Sequence, residues 1–328
     1  MIVVTGAAGF IGSNIVADLQ AEGRDSLAIC DWFGVGDKWR NLAKRNIAAF
    51  IAPENINAFL DSHAGQIRAI IHMGAISATT EMDVDRLVAL NIQSSVSLWD
   101  WCAAHAVPFI YASSAAAYGG GEAGFRDDES PAGVAALRPL NGYGWSKKAV
   151  DEIFVNRVAE GMRAPPQWVG LRFFNVFGPN EYHKDSMKSV AVKLFDAIVA
   201  GEPVRLFKSH REGIVHGDQR RDFIYVKDCT KAISWFLDHP AVSGIFNLGT
   251  GRARSFLDIA HALERAMGRN LDVEFIDMPE KLRDKYQYFT QADMEKVRAR
   301  GMSFAFTPLE DSIADYVGAY LAHEDRYR

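Results

Sequence analysis

The most constraining feature of the sequence is a set of three glycines, each three residues after the last, close to the amino terminus. Gly6, Gly9 and Gly12 follow a short apolar run at residues 2–5 and precede a stretch with apolar residues at helical spacing. Glycines placed between a strand and a helix allow a tight turn and a close backbone approach to a pyrophosphate, while the helix start offers unpaired N–H groups. We therefore predict a dinucleotide-binding loop; the alternative is a plain tight turn.

Short apolar runs alternate with helical periodicity through the first half of the chain. The runs cover residues 2–5, 27–31, 69–72, 108–112 and 168–174. Continuous apolar runs are typical of parallel strands buried on both faces, and repeated strand–helix–strand units produce a right-handed, doubly wound sheet. The sequence predicts an α/β fold of the Rossmann type, followed by a smaller C-terminal α/β substrate domain.

The second half of the chain is less regular. Residues 175–188 and 209–221 are polar and contain glycine, which predicts two loops that follow strands, where α/β folds place their ligands. The predicted dinucleotide-binding domain comprises residues 1–174, 222–248 and 288–300. The predicted substrate domain comprises residues 175–221, 249–287 and 301–328.

Composition excludes several classes of protein. The chain of 328 residues carries 36 Lys and Arg against 41 Asp and Glu, a net charge of −5. An acidic chain has no overall attraction for nucleic acid or anionic lipid. Three separated cysteines indicate neither a disulfide framework nor a zinc site. No run approaches the ~20 apolar residues of a membrane span, and no secretion signal is recognisable, so we expect a cytoplasmic protein.

Metal binding is not predicted. Histidines at positions 72, 183, 210 and 216 lack the spacing of a metal motif, and no acidic residues accompany them at ligand spacing.

An acidic residue lies at the expected distance from the glycine loop. Asp31 follows Gly12 by nineteen residues and ends the second predicted strand, where a carboxylate accepts hydrogen bonds from the adenosine ribose and favours NAD. Lys38 and Arg40 follow, and two cations there could instead hold the 2′-phosphate of NADP or simply face solvent. The local sequence leaves both cofactors open.

Ser114, Tyr143 and Lys147 are the candidate catalytic residues. Tyr143 and Lys147 are four residues apart at the start of a predicted helix over residues 142–158, so they share one helix face. A nearby ammonium lowers the pKa of a phenol toward neutrality, which predicts that Tyr143 is a general base. Lys147 would also bind the nicotinamide ribose, and Ser114 would bond the reacting oxygen. The alternative is a surface tyrosine packed on a lysine stem.

The glycine loop, serine, tyrosine and lysine in this order resemble the extended short-chain dehydrogenase/reductase family, whose members mostly act on nucleotide sugars. More narrowly, six stretches resemble the epimerases of that family that invert carbon 6 of an ADP-linked heptose: residues 111–118, 173–179, 184–190, 221–226, 244–253 and 286–293. The resemblance implies an isomerase that supplies lipopolysaccharide precursors. It also implies a homo-oligomer whose partner is a small nucleotide sugar, with no nucleic acid or membrane partner.

The resemblance also implies residue roles. It implies NADP as cofactor, with NAD as the alternative, held by Gly6, Gly9, Phe10, Ile11, Gly12, Asp31, Trp32, Lys38, Met73, Gly74, Ala75, Ile76, Ser77, Asn91, Lys147, Val176 and Lys184. The implied substrate-binding residues are Ser114, Asn175, Ser186, Lys193, Phe207, Lys208, Ser209, His210, Arg221 and Tyr286. Tyr143 and Lys184 would be the two acid/base groups, although Lys184 could instead be a binding cation.

Three positions depart from the family pattern. Residues 52–54 read Ala-Pro-Glu where a second cation for the 2′-phosphate is expected, Trp32 replaces an asparagine, and Lys193 replaces a histidine. The alternative functions are a UDP-hexose 4-epimerase, another NAD(P)-dependent sugar-nucleotide oxidoreductase, or a catalytically silent NADP-sensing regulator. A dehydratase is disfavoured because three alanines follow Ser114, where an Asp-Glu pair is expected.

Overall fold

The computed structural model describes residues 1–283 and 286–328. Its strands are Ile2–Thr5 (β1), Leu27–Cys30 (β2), Ala49–Ile51 (β3), Ala69–His72 (β4), Phe109–Ser114 (β5), Trp168–Phe173 (β6), Asn175–Phe177 (β7), Val204–Phe207 (β8), Arg220–Tyr225 (β9), Gly244–Leu248 (β10), Ala253–Ser255 (β11) and Val273–Ile276 (β12). Seven of them form one sheet in the order β10-β6-β5-β4-β1-β2-β3. Every neighbouring pair in this sheet is parallel.

The α-helices are Phe10–Ala21 (α1), Ile56–Ser62 (α2), Val84–Leu87 (α3), Ser94–His105 (α4), Pro131–Ala135 (α5), Gly142–Ala159 (α6), Val190–Ala200 (α7), Val226–Asp238 (α8), Phe256–Met267 (α9), Glu280–Arg283 (α10), Glu295–Ala299 (α11) and Leu309–Tyr316 (α12). Short 3₁₀ turns cover Asp37–Leu42, Pro53–Asn55, Ala64–Gln66, Ala115–Tyr118 and Tyr182–Met187. Wider π-type turns, Val88–Gln93 and Val317–Leu321, extend α3 and α12. None of the helices in the described residues has the length and apolar character needed to cross a membrane.

Apolar side chains cover the large sheet on both faces. Strands β2, β4 and β6 are buried along their whole length, which explains their continuous apolar sequence. One face packs against α1 and α8 through residues such as Ile15 and Phe236. The other face packs against α4 and α6 through Trp99 and Phe154, whose rings stack 4.1 Å apart. The predicted doubly wound α/β fold is confirmed.

A separate, smaller core lies in the C-terminal part of the chain. It joins α7, α9 and α12 through residues that include Phe195, Leu263 and Ile313. Two small sheets flank it: β11-β9-β7 and β12-β8. This C-terminal α/β unit was expected from the sequence.

The structure corrects several predicted elements. Strand β3 has no strong sequence signal, because it has three residues and exposes Phe50. Part of each predicted loop is regular: residues 175–188 include β7 and a 3₁₀ turn, and residues 209–221 run into β9. Strands β7 and β9 pair across about fifty residues of chain, a contact that local periodicity does not report. Ser114 is the last residue of β5 rather than beyond its end.

Candidate active site

A cavity of about 1460 Å³ opens at the carboxyl ends of the strands of the large sheet. Residues at or just after the ends of β1, β2, β4, β5 and β6 line it. Ligands of open α/β sheets bind at this edge, because the loops there leave a crevice. The edge is therefore the expected position of a cofactor and its substrate.

The glycine loop forms one wall of the cavity through backbone atoms. A Cβ on Gly12 would lie 2.1 Å from the carbonyl oxygen of Gly6, and a Cβ on Gly6, whose φ is +63°, would lie 2.6 Å from Gly74 N. Helix α1 begins after Gly9, and no side chain caps its first N–H groups. Close backbone packing and free N–H groups at a helix start fit a pyrophosphate.

Asp31 is held in place from two sides. Its Oδ2 accepts a hydrogen bond of 2.8 Å from the N–H of Ala8, and its Oδ1 pairs with Lys38 Nζ at 2.6 Å. The second cation of the sequence prediction, Arg40, lies 4.6 Å over the ring of Tyr327 and borders a different, smaller pocket. Lys38 thus lines the cavity beside Asp31, whereas Arg40 does not.

The loop after β4 forms the next part of the wall. Met73, Gly74, Ala75, Ile76 and Ser77 line the cavity.

Asn91 lies behind this loop instead of in the wall. Its Oδ1 accepts from the N–H of Ile76 at 2.8 Å, and its Nδ2 donates to Ile76 O at 3.0 Å and to Ser146 Oγ at 2.9 Å. Its side chain is fully buried. Asn91 can therefore position the loop, although the sequence prediction placed it on the cofactor.

His72 is a neutral structural residue at the end of β4. Its ring lies 2.6 Å from Thr5 Oγ1 and 3.0 Å from Ser95 Oγ. Burial and, to a lesser extent, the positive charge of Lys147 together lower the pKa of His72 to about 3. Among residues 1–283 and 286–328, no cluster of three or more His, Cys, Asp or Glu side chains could hold a metal ion.

Ser114, Tyr143 and Lys147 meet in the cavity. Asn141 caps α6 by accepting from the N–H of Gly144 at 2.8 Å, which fixes the turn that carries Tyr143. Lys147, one turn later, donates a 2.7 Å hydrogen bond to the carbonyl oxygen of Ala112. Burial lowers the pKa of Lys147 to about 8, although the carboxylate of Asp151 opposes the change.

The pKa of Tyr143 corrects the sequence prediction. Burial raises this pKa above its usual value, and the hydrogen bond with Ser114 only partly opposes the rise. The sequence predicted a lower pKa because Lys147 is one turn away. Loss of hydration outweighs that effect, and the ammonium is directed at the Ala112 carbonyl. The direction of the pKa shift therefore differs from the predicted one, and the role of Tyr143 as a general base stays a prediction.

Lys184 reaches the cavity from the Tyr182–Met187 turn, far along the chain from Tyr143. Its Nζ lies 5.5 Å from the ring centre of Phe10, and burial lowers its pKa while Glu181 opposes the change. The next residue, Asp185, has a left-handed φ of +45°. The site thus holds a second group able to exchange a proton.

The predicted substrate residues divide into two sets. Six line the cavity: Ser114, Asn175, Ser186, Lys193, Arg221 and Tyr286. Val176 and Lys184, which were predicted to bind the cofactor, line it as well. The Arg221 guanidinium lies 5.1 Å from the ring centre of Tyr286.

The other set lies outside the cavity wall: Phe207, Lys208, Ser209 and His210. Phe207 packs edge-on against Tyr286, Lys208 pairs with Asp277 at 3.4 Å, and His210 Nε2 accepts from the N–H of Met278 at 3.3 Å. Phe207 therefore contacts a wall residue, whereas Lys208 and His210 contact residues 277 and 278.

Several wall residues were not predicted from the sequence. They include Glu54, Asn57, Thr79, Ser94, Ser97, Asn141, Phe256 and Gln287. Asn141 had a usable signal, since an asparagine directly before a helix is a common cap. The others lie on turns and helix faces without a local motif.

The chain matches known proteins over most or all of its length. Residues 2–249 match the family described as "NAD dependent epimerase/dehydratase family". An ADP-L-glycero-D-manno-heptose-6-epimerase from Fusobacterium nucleatum is 44% identical over 335 residues, covering 100% of each chain. The solved Helicobacter pylori ADP-L-glycero-D-manno-heptose-6-epimerase is 27% identical, has a TM-score of 0.79, and covers 97% of this chain and 95% of its own.

A UDP-glucuronic acid 4-epimerase from Bacillus cereus, solved with UDP-glucuronic acid and NAD, is 25% identical with a TM-score of 0.77, covering 97% of this chain and 99% of its own. The resemblance predicted from the sequence is confirmed. The chain belongs to the NAD dependent epimerase/dehydratase family.

Proposed function

We propose that this chain is a sugar-nucleotide epimerase that inverts carbon 6 of the heptose in ADP-D-glycero-D-manno-heptose to give ADP-L-glycero-D-manno-heptose. The observation that carries the proposal is that Ser114, Tyr143, Lys147 and Lys184 line one cavity with the glycine loop. The full-length relatives named for this reaction support the choice of substrate.

The chemistry explains why a redox cofactor is needed. A secondary alcohol carbon without an acidic C–H cannot be inverted by direct deprotonation. A nicotinamide held in the cavity would supply a hydride acceptor and then a hydride donor, so that the alcohol could be oxidised to a ketone and reduced again with no net oxidation. The glycine loop, Asp31 and the Met73–Ser77 turn would hold this dinucleotide.

The protein's own residues position the sugar and move protons. Ser114 and Tyr143 would bond the oxygen on carbon 6, and Tyr143 would exchange its proton with that oxygen. Lys147 would orient the nicotinamide ribose, as its ammonium is already fixed by the Ala112 carbonyl. Lys184 would exchange the proton after the sugar turns over, because the carbonyl then points to a different part of the cavity.

Tyr143→Phe and Lys184→Met test the two proton-exchanging groups. We expect each to lower turnover by about 10²- to 10⁴-fold, because each removes one acid/base group, while nucleotide binding stays intact. The measurement is NMR of epimer interconversion, with fluorescence titration of the reduced cofactor. Lys148→Met is the matched control, since Lys148 neighbours Lys147 on α6 but pairs with Glu152 outside the cavity.

Three outcomes of that experiment separate the candidate functions. Interconversion of ADP-heptose epimers supports the proposal. Activity on UDP-hexoses alone would indicate a 4-epimerase or a related oxidoreductase, and tight nucleotide binding without turnover would indicate a regulator. Near-normal turnover of Lys184→Met with weaker substrate binding would make Lys184 a binding cation.

The choice of cofactor, the domain division, the oligomeric state and the location in the cell are also part of this proposal. The resemblance predicts NADP, with NAD as the alternative, and the two differ by one phosphate on the adenosine ribose. The domain division, with residues 1–174, 222–248 and 288–300 binding the dinucleotide and the rest binding the sugar, stays a prediction. So do a homo-oligomeric state and a cytoplasmic location.

A further inference from the structure

Two carboxylates lie at the end of the cavity where the adenosine ribose would bind. Asp31 directly follows β2 and accepts a hydrogen bond from Ala8 of the glycine loop, and Glu54 lies in the turn after β3. Trp32 joins them: its indole Nε1 donates a 3.0 Å hydrogen bond to Glu54 Oε2, while its backbone carbonyl accepts from Lys38 at 2.7 Å. The hydrogen bond from Trp32 therefore keeps the Glu54 carboxylate at the same end of the cavity as Asp31.

Positive charge is scarce at this end of the cavity. Lys38 is committed to Asp31 at 2.6 Å and to the Trp32 carbonyl. Arg40 stacks on Tyr327 and does not line the cavity, and the turn after β3 reads Ala-Pro-Glu. Arg86 reaches the wall from α3, where it pairs with Glu81 at 3.3 Å. When Arg86 is counted with its partner Glu81, as Lys38 is with Asp31, the unpaired charge of Glu54 leaves a net negative charge on the described residues at this end.

A ribose and a ribose phosphate differ sharply in such surroundings. A ribose diol donates hydrogen bonds, and an ionised Asp31 accepts them. A 2′-phosphate carries roughly −1.5 to −2 charge at neutral pH, and a nearby carboxylate repels it. Because Lys38 is already neutralised by Asp31, it compensates the phosphate only by giving up that pair.

We infer that this chain selects NAD against NADP, and that Glu54, held by the Trp32 indole, determines the selectivity. This departs from the NADP predicted by the resemblance. It rests on the proposed function only in requiring that a nicotinamide dinucleotide occupies the cavity. Selectivity here is achieved by repulsion of the competing ligand as well as by attraction of the preferred one.

The test compares two reduced nucleotides on the same protein. NADH and NADPH are titrated by fluorescence into the full chain stripped of bound nucleotide, and nucleotide released from untreated protein is identified by mass spectrometry. We expect NADH to bind at least about 10-fold more tightly, and the ratio to shrink at high salt because ionic screening weakens the repulsion. Equal or tighter binding of NADPH would overturn the inference.

Substitutions assign the effect to Glu54. Glu54→Gln keeps the acceptor for Trp32 but removes the charge, and we expect the NADH preference to fall several-fold. Glu54→Lys supplies the missing cation and should make the protein prefer NADPH. Glu22→Gln removes an exposed carboxylate outside the cavity, which pairs with Arg24 at 3.1 Å, and should leave the ratio unchanged.

Two further outcomes would count against the inference. An unchanged ratio in both Glu54 variants would overturn the role of Glu54. Binding of neither nucleotide by the wild-type protein would overturn the proposed function as well, which separates that failure from one of selectivity alone.

Discussion

The cofactor end and the sugar end of the cavity are built differently. At the cofactor end, the walls are continuous segments that follow β1, β2 and β4, and much of their surface is backbone. At the sugar end, the walls combine single side chains from β7, the Tyr182–Met187 turn, α7, β9 and residue 286. The first arrangement leaves a contiguous motif in the sequence, whereas the second leaves isolated residues.

The two units of the chain also contain ion pairs, outside the cavity wall, that differ in burial. The pair of Asp151, on α6, and Arg172, on β6, is fully buried and hydrogen-bonded to Tyr111, Ser113 and Tyr118. In the C-terminal unit, Arg205 and Glu274 pair across β8 and β12 in solvent. The buried pair therefore depends on the fold for its partners, whereas the exposed pair is solvated.

The largest expected effect is on that buried pair. Asp151→Asn leaves the Arg172 guanidinium buried without its counter-charge, and we expect a loss of about 3–5 kcal/mol in unfolding free energy. Glu274→Gln, which breaks the exposed pair, should leave the denaturant midpoint unchanged within error. Chemical denaturation of both variants measures the difference, and similar losses for the two would break the comparison.

The second-largest expected effect is on nucleotide binding, through a substitution in the glycine loop. Gly12→Ala places a Cβ 2.1 Å from Gly6 O, so the loop must shift away from the pyrophosphate. Losing two hydrogen bonds to a charged group should weaken NADH binding by about 10²- to 10⁴-fold. Gly65→Ala, where a Cβ meets no atom within 4 Å, should bind NADH normally. Normal binding by Gly12→Ala would show that the loop is not a close-packed cradle.

At the sugar end of the cavity, we expect substitution of a single side chain to weaken substrate binding. Arg221 is buried beside Tyr286, whereas the adjacent Arg220 is exposed and pairs with Asp218 at 3.0 Å. Arg221→Gln should raise the KM for the nucleotide sugar by about 10- to 100-fold, the loss of one charge-assisted hydrogen bond, with NADH binding unchanged. Arg220→Gln serves as its control. Equal KM values for the two variants would show that Arg221 does not bind the substrate.

The smallest effect concerns acid stability at the cofactor end. The pKa of His72 is about 3 in the folded protein, compared with an ordinary value of 6.5. As the pH falls below 6.5, His72 is therefore protonated in the unfolded chain but stays neutral in the folded protein. Stability contributed by neutral His72 is therefore present above pH 6.5 and declines by about 1 kcal/mol between pH 6 and 5.

His72→Asn should flatten this pH dependence, measured as denaturant midpoints from pH 4 to 7. Exposed His105 provides the matched control, because His105→Asn should keep the wild-type slope. An unchanged slope in His72→Asn would mean that other groups dominate acid unfolding at this end.

Most of the fold and part of the site were predictable from the sequence. The parallel strands and helices α1 and α6 have clear periodicity, and the glycine loop, Ser114, Tyr143 and Lys147 occur in or beside those elements. Strand β3 and the pairing of β7 with β9 were missed because they depend on contacts between distant segments. The Glu54 and Trp32 pair was missed for the same reason: its residues lie in different turns.

Local chemistry along the chain determined the backbone: where it turns, where helices begin, and that a phenol and an ammonium share one helix face. Such features depend on nearby residues and survive in almost any packing. Tertiary structure alone decided that Arg40 turns toward Tyr327, that Asn91 lies behind its loop, and that burial raises the pKa of Tyr143. These outcomes depend on hydration and on partners supplied by distant segments, which only the folded chain brings together.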